Sequence, residues 1–362
     1  MGMVYKGQKN QEKEEVFGQV YNKEEKIDFS IDSYDYPLTP DFIAHYPLLK
    51  RDEAKLLVYN SVRDKIEHTK FKFIKKYFKR GDLLILNNTK VIPAKIFAKK
   101  ESGGKVEILF LEKIDKNKFK ALIKGKNVKD KKIYAGDYIL KCYKEEDFYL
   151  CEIENGECRS LIKEEGFMPL PPYIKRKPEE IDKIYYQSVF AKKEGSIAAP
   201  TASLHFTKNL LEEIKEEGVR IAYINLKIGR GTFTPVKEKD IRRWKMEEEY
   251  YEIPEKTIFE IEKIRKENGR IFVCGTTSVR ALESYGLTKI KKGFTNLFIY
   301  PGFKFIFTDC IITNFHFPKS TNLILICAFA GREKVLNLYE IAKRENYRFL
   351  SYGDAMLIIK KD

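Results

Sequence analysis

Two segments of the chain combine a histidine with small or polar residues, a combination suited to proton transfer. In the first, residues 195–207 (GSIAAPTASLHFT), His205 comes just before a predicted helix. The positive end of a helix dipole favours the neutral imidazole, which can accept or donate a hydrogen bond near pH 7. A lone histidine at this position also fits a helix cap or a core residue, so a catalytic and a structural interpretation both remain open.

The second segment, residues 313–321 (TNFHFPKST), places amide, imidazole, ammonium and hydroxyl groups between two predicted buried strands. A buried polar group without a partner costs about 1–3 kcal/mol. We therefore expect Asn314 and His316 to border a pocket that holds a ligand or water, rather than to serve packing alone.

A third segment, residues 275–283 (GTTSVRALE), predicts a strand, a turn and the start of a helix with hydroxyl groups at its mouth. The free N–H groups of such a helix start bind carboxylate or phosphate oxygens. Arg280 and Glu283 lie one turn apart, so they can reach one ligand or pair with each other. An ordinary capped helix is the alternative. The nearby GRGTF run at 229–233 lacks the third glycine of a dinucleotide fingerprint.

These segments lie within alternating strand and helix patterns, which predict an α/β domain. The predicted strands are 55–60, 83–86, 219–226, 270–274 and 323–330, and the predicted helices are 207–217, 258–268, 279–285 and 333–346. Between residues 91 and 162 the pattern changes to short alternating runs separated by Gly and Asn turns, which predict a small β-barrel.

The predicted fold class is thus α/β, with a larger, barrel-like α/β domain interrupted by an inserted small β-barrel domain. We expect a flexible extension at 1–27, the α/β domain at 28–90 and 163–362, and the inserted domain at 91–162. Residues 113–132, within the insertion, contain nine lysines and two aspartates.

The charge balance favours a polyanionic partner. The 362-residue chain has 68 Lys and Arg against 53 Asp and Glu, a formal net charge of +15. Such a field attracts nucleic acid before specific contacts form, although a solvated lysine face is the alternative. The eight-residue apolar run at 323–330 is far shorter than the roughly 20 residues that span a bilayer. We therefore expect a cytoplasmic protein without a membrane partner.

The six cysteines contain no C-x-x-C pair and no neighbouring histidine at metal-ligand spacing. They predict reduced packing residues, no metal site and no redox cofactor.

Several long strings resemble, in the same order, the S-adenosylmethionine:tRNA ribosyltransferase-isomerase (QueA) family of queuosine biosynthesis. Besides the segments quoted above they include GDLLILNNTKVIPAK, MPLPPYIKR and YRFLSYGDAMLI, and the likeness runs from about Asp35 to Ile358. The resemblance implies transfer and isomerisation of the ribosyl group of S-adenosylmethionine onto 7-aminomethyl-7-deazaguanine at the tRNA wobble position. The expected products are epoxyqueuosine, adenine and methionine. S-adenosylmethionine would be a co-substrate rather than a cofactor, tRNA the partner, and the protein a monomer.

The resemblance also implies the site residues. The catalytic set is His205, His316 and Arg280, with either histidine as a candidate base. The substrate-binding set is Thr201, Gly229, Gly231, Thr232, Glu249, Thr276, Thr277, Asn314, Lys319 and Ser320. The residues expected to contact RNA are Lys90 and Lys95 at the predicted domain boundary and Lys124 and Lys126 in the lysine-rich stretch.

Four positions depart from the family pattern. Lys227, Trp244 and Glu247 stand where the family usually has histidine, and Ser203 replaces a glycine. Three hypotheses follow from these departures: an active enzyme, a divergent paralogue that binds S-adenosylmethionine but uses another acceptor, and a non-catalytic tRNA-binding protein.

Overall fold

The structure is a computed structural model that describes residues 27–128, 131–229 and 235–361. Its described residues form two compact units. The first comprises 27–89, 188–192, 200–229 and 235–361, and the second comprises 90–128, 131–187 and 193–199. Most of the extension expected at 1–27 lies outside the described residues.

Eighteen β-strands occur in the described residues. They are β1 (Lys55–Asn60), β2 (Lys65–Lys70), β3 (Leu83–Asn87), β4 (Thr89–Val91), β5 (Lys95–Lys100), β6 (Lys105–Lys113), β7 (Lys118–Lys124), β8 (Lys132–Ala135), β9 (Tyr138–Lys144), β10 (Tyr149–Ile153), β11 (Gly166–Phe167), β12 (Lys193–Ser196), β13 (Arg220–Leu226), β14 (Glu249–Glu252), β15 (Ile271–Cys274), β16 (Lys292–Thr295), β17 (Cys310–Asn314) and β18 (Ala355–Ile359).

Seven α-helices accompany them. They are α1 (Cys158–Glu165), α2 (Glu180–Tyr185), α3 (Lys208–Glu216), α4 (Glu255–Lys266), α5 (Thr276–Thr288), α6 (Thr321–Ala330) and α7 (Arg332–Arg344). Short 3-10 helices cover Ile31–Tyr34, Pro40–Phe42, Arg51–Glu53, Phe71–Tyr77, Thr201–His205 and Ile241–Arg243.

A nine-stranded mixed sheet organises the first unit, in the order β16-β14-β13-β3-β15-β17-β18-β1-β2. Its four central strands, β13, β3, β15 and β17, are mutually parallel. Strands β3, β15 and β17 are buried along their whole length, as expected for strands covered on both faces. Because parallel strands end at the same edge, the segments that follow β13, β15 and β17 are brought together there.

At the opposite ends of the parallel strands, where the strands begin, a buried ion pair connects two of them. The Arg270 guanidinium, just before β15, donates to both carboxylate oxygens of Asp82, just before β3, with Nη2–Oδ2 at 2.6 Å and Nε–Oδ1 at 3.1 Å. Both residues are less than 5 % exposed. The pair therefore fixes the starts of two neighbouring central strands.

The second unit contains a closed barrel in the strand order β5-β6-β7-β10-β9-β8, with β8 pairing back to β5. Its interior is filled by apolar side chains such as Ile108 and the stacked rings of Phe110 and Phe119. The predicted fold class, α/β with an inserted small β-barrel, is confirmed, but the larger domain is not barrel-like, because its nine-stranded sheet is open among the described residues. Strand β11 also pairs with β5, which places residues 163–187 in this unit rather than with the α/β part.

The prediction of a buried strand at 323–330 is wrong, because these residues belong to helix α6. The helix is buried on nearly all sides, so its sequence lacks the polar stripe that marks a surface helix. Ser320 begins it, with its Oγ accepting the Leu323 N–H at 3.2 Å. Among the described residues, no helix is long and apolar enough to cross a membrane.

Candidate active site

The 3-10 helix Thr201–His205 and the ends of β15 and β17 meet at the carboxyl edge of the parallel strands. Ser203 Oγ lies 3.6 Å from Cys274 Sγ at the end of β15. The Gly275 N–H donates to the Ile312 carbonyl of β17 at 2.8 Å. These contacts assemble two of the three segments singled out from the sequence, and β17 leads directly into the third.

His205 is held by hydrogen bonds within the protein. Asn314 Nδ2 lies 3.2 Å from His205 Nε2 and 3.3 Å from the carbonyl of Asp354. The amide nitrogen is a donor, so Nε2 is the unprotonated ring nitrogen. The backbone of Arg51 forms a further hydrogen bond with His205. The ring of His205 packs 5.0 Å from that of Phe71, and burial lowers its pKa to about 4. His205 is therefore neutral near pH 7 and fixed in orientation.

His316 is also neutral near pH 7, in a different environment. Its Nε2 lies 2.7 Å from Thr313 Oγ1, and its backbone N–H donates to the Tyr339 hydroxyl at 3.1 Å. Tyr36 donates its hydroxyl hydrogen to the His316 carbonyl. Part of the residue remains accessible, but the packing around its ring lowers the pKa of His316 to about 3. Its Nδ1 has no hydrogen-bond partner among the described residues.

Arg280 forms a buried ion pair with Glu249. Arg280 Nη2 lies 2.6 Å from Glu249 Oε2, and Glu249 Oε1 accepts the Gly229 N–H at 3.0 Å. Both side chains are 5 % exposed or less. Glu283 instead accepts hydrogen bonds from the backbone N–H groups of 306–308. Arg280 and Glu283 therefore do not pair with each other, one of the two arrangements that the sequence left open.

Three buried polar atoms near these groups have no hydrogen-bond partner in the described residues: Thr277 Oγ1, Arg280 Nε and Asn314 Oδ1. An unpaired buried polar atom costs about 1–3 kcal/mol, which a bound ligand would offset. The neighbouring Thr276 is satisfied, since its Oγ1 donates to Asn322 Oδ1 at 2.9 Å. The unpaired atoms are the strongest sign that this edge of the sheet binds a ligand.

Other substrate-binding predictions fall on residues with structural contacts. Ser320 caps α6 and donates to the Phe317 carbonyl at 2.7 Å, and Lys319 pairs with Asp32 at 2.7 Å. Thr201, at the start of its 3-10 helix, is half-buried. Gly231 and Thr232 lie outside the described residues. For all of these residues, substrate binding stays a prediction.

The predicted RNA contacts lie in the second unit. Lys90 pairs with Glu194 at 2.9 Å, and Lys95 with Glu107 at 3.2 Å. Lys124 and Lys126 are exposed, and neither forms an ion pair with another described residue. The latter two are the better placed to meet phosphate.

Lys227, Trp244 and Glu247 stand where the family usually has histidine, and each lies in a different environment. Lys227 Nζ lies 5.3 Å from the centre of the Tyr250 ring, and Glu247 is exposed. Trp244 is half-buried, and its Nε1 has no hydrogen-bond partner among the described residues. The described residues also contain no group of three or more side chains arranged to hold a metal ion.

Sequence reasoning missed two partners of site residues. Asn322, which binds Thr276, lies just before the stretch predicted as a strand at 323–330, and its position in the first turn of α6 follows only from the Ser320 cap. Tyr339, which binds the His316 backbone, lies in α7 with no local signal of this contact.

The low pKa of His205 predicts a loss of stability on acidification. Unfolding returns the pKa to about 6.5, so the unfolded chain binds a proton that the folded chain rejects between about pH 6.5 and 4. The stabilising contribution of neutral His205 to the free energy of unfolding is fully present above pH 6.5. At pH 5 it is smaller by about 2 kcal/mol. We expect the His205→Asn variant to have a lower free energy of unfolding than wild type at pH 7.5. The difference between the two proteins should be smaller by about 2 kcal/mol at pH 5. If urea denaturation gives the same difference in free energy of unfolding at both pH values, this prediction is contradicted.

The fold and the site define a class: an α/β protein with an inserted β-barrel and a candidate ligand site where its parallel strands end. The family described as queuosine biosynthesis protein matches residues 31–358. The chain belongs to this family, as the resemblance predicted.

Relatives named S-adenosylmethionine:tRNA ribosyltransferase-isomerase cover nearly the whole chain. The relative from Sulfurihydrogenibium sp. (strain YO3AOP1) is 48% identical, over 91% of this chain and 99% of the relative. The relative from Aquifex aeolicus (strain VF5) is 43% identical over the same shares. The crystal structure of the S-adenosylmethionine tRNA ribosyltransferase from Thermotoga maritima has 31% identity and a TM-score of 0.53, over 90% of this chain and all of that one.

Proposed function

We propose that the protein transfers and isomerises the ribosyl group of S-adenosylmethionine onto 7-aminomethyl-7-deazaguanine in tRNA, forming epoxyqueuosine and releasing adenine and methionine. The observation that carries the proposal is the family match over residues 31–358, which spans both units. The relatives' names and the unpaired polar atoms at the carboxyl edge support it.

In the proposed reaction, the sulfonium of S-adenosylmethionine acidifies the C5′ hydrogens of the ribose. A base removes one of them, adenine is expelled, the acceptor amine attacks C1′, and methionine leaves as the epoxide closes. We assign the proton acceptor to His316, because its Nδ1 has no protein partner in the described residues. His205 is bound through Nε2 and to the backbone of Arg51, so we assign it the positioning of Asn314.

Adenine release is the direct test. Purified protein with S-adenosylmethionine and tRNA carrying the deazaguanine should release adenine, measured by chromatography against a protein-free control. Release at the control rate would overturn the proposal. Donor turnover only with another amine or RNA would support a divergent paralogue, and tRNA binding without donor binding would support a non-catalytic protein.

Substitution of His316 tests its assigned role. We expect His316→Ala to lower the rate of adenine release about 10²–10⁴-fold, the usual contribution of a general base. Affinity for tRNA should stay near that of wild type, because His316 is not part of the proposed RNA surface. An unchanged rate would remove His316 from the catalytic set.

We further propose that tRNA contacts the exposed lysines of the second unit, that the protein acts in the cytoplasm, and that it is a monomer. Lys124 is the last residue of β7, one of the strands of the lysine-rich barrel, and Lys126 lies two residues beyond it. Other lysines of the barrel already have carboxylate partners, as Lys116 has Glu157 and Lys118 has Glu152. Binding of a tRNA phosphate at Lys124 and Lys126 should therefore break fewer existing ion pairs than binding at Lys116 and Lys118.

Salt dependence checks this surface. If six or more phosphates are contacted, raising salt from 50 to 200 mM should weaken tRNA binding about 10³-fold or more. We expect the double variant Lys124→Gln and Lys126→Gln to lower the slope of log affinity against log salt by about 2. The matched control is Lys116→Gln with Lys118→Gln, whose effect on the slope should be smaller. Equal slopes for both double variants would locate the RNA elsewhere.

A further inference from the structure

The start of helix α5 has no side-chain cap. The helix is 13 residues long and follows Gly275, which has φ +88° and no side chain to cap the helix. The first N–H groups of a helix have no intrahelical partner, and they lie at the positive end of the helix dipole. A carboxylate is one of the groups that such a helix start binds.

Two side chains on the same helix support a ligand there independently. Thr277 is 5 % exposed and Arg280 is 4 % exposed, yet Thr277 Oγ1 and Arg280 Nε have no hydrogen-bond partner in the described residues. Both can donate a hydrogen bond. A Cβ built onto Gly275 would lie 3.7 Å from Thr277 Oγ1, so the glycine leaves space beside this hydroxyl.

The charge of this site distinguishes between anions. Glu249 binds Arg280 Nη2 at 2.6 Å and so compensates much of the guanidinium charge, while it also holds the side chain in place. The remaining positive potential comes mainly from the helix dipole, equivalent to about half an elementary charge. A doubly charged phosphate would be poorly compensated here. The carboxylate of an amino acid fits better, because its own ammonium group balances its charge.

We propose that the first turn of α5, with Thr277 Oγ1 and Arg280 Nε, binds the α-carboxylate at the amino-acid end of the donor. This inference rests on the proposed function, which makes S-adenosylmethionine the donor. It assigns Thr277 and Arg280 to substrate anchoring, and it makes Glu249 a positioning residue that orients Arg280.

Two ligands that differ only at the amino-acid end test the proposal. S-adenosylhomocysteine carries the amino acid, whereas 5′-deoxy-5′-methylthioadenosine keeps the nucleoside and the thioether without it. Isothermal calorimetry with the full chain should show at least tenfold tighter binding of S-adenosylhomocysteine to wild type. A hydrogen bond to a charged group is worth roughly ten- to a hundredfold in affinity. Thr277→Val and Arg280→Gln should therefore each weaken that ligand at least tenfold and leave methylthioadenosine within twofold.

Thr288→Val is the matched control, because it makes the same substitution at the far end of α5. It should change neither affinity. Thr277→Val keeps the shape of the side chain, so it remains informative if Arg280→Gln fails to fold. Equal wild-type affinities for the two ligands, or equal weakening of both by Thr277→Val, would overturn the inference while donor use stands. Absence of binding by either ligand, together with absence of adenine release, would overturn the proposed function as well.

Discussion

Glu249→Gln should lower adenine release at least a hundredfold. The carboxylate accepts from both Arg280 Nη2 and the Gly229 N–H, and a neutral amide has only one oxygen to offer these two donors. Removing one member of a buried charge pair costs about 3–5 kcal/mol, because the other charge is left uncompensated. At about 1.4 kcal/mol per tenfold change, a loss of this size passed to the transition state is a hundredfold or more.

Glu252→Gln is the matched control for this prediction. Glu252 ends the same strand, β14, but its side chain is half-buried rather than enclosed. We expect its rate to stay within about twofold of wild type, because weakly buried charges contribute little. A Glu249→Gln enzyme with wild-type rate and wild-type melting temperature would show that the pair neither orients Arg280 for catalysis nor stabilises the fold.

Asp82→Asn should have the largest effect on stability. The carboxylate binds two nitrogens of the Arg270 side chain, with both residues almost fully buried at the starts of β3 and β15. The amide leaves the guanidinium without its counter-charge, so we expect the free energy of unfolding to fall by about 3–5 kcal/mol. Urea denaturation followed by circular dichroism measures this change.

The exposed pair of Glu212 and Lys215 provides the comparison. Their side chains are 64% and 46% exposed, so Glu212→Gln should change the free energy of unfolding by less than about 1 kcal/mol. Equal losses for Asp82→Asn and Glu212→Gln would mean that burial does not decide the strength of ion pairs in this protein.

Local patterns predicted the regular elements well where amphipathicity or alternation was clear. The strand predicted at 55–60 has the bounds of β1, and the helix predicted at 207–217 differs from α3 by one residue at each end. Helix α6 was missed because a helix that is apolar all round shows no period. The barrel was predicted from its alternation, but the pairing of β11 that extends the second unit was not.

The separate segments of the site were predicted from the sequence, but the contacts between these segments could not be predicted. His205 and Asn314 are 109 residues apart, and Glu249 and Arg280 are 31 apart. Such pairs form only when the parallel strands align their carboxyl ends, which no local pattern encodes. The neutral state of His205 was expected from a helix start, whereas burial is its main cause in the structure.

The barrel is closed whereas the large sheet has edge strands, and this difference affects self-association of the protein. Among the described residues, the closed barrel offers a neighbouring molecule no free strand other than the two-residue β11, so it cannot template intermolecular pairing along its length. The large sheet has two edge strands, β2 and β16, and Lys65, Glu67 and Lys70 place charges along the first of them. A second copy adding a strand at β2 would have to desolvate those charges, and this cost disfavours growth of the sheet at that edge.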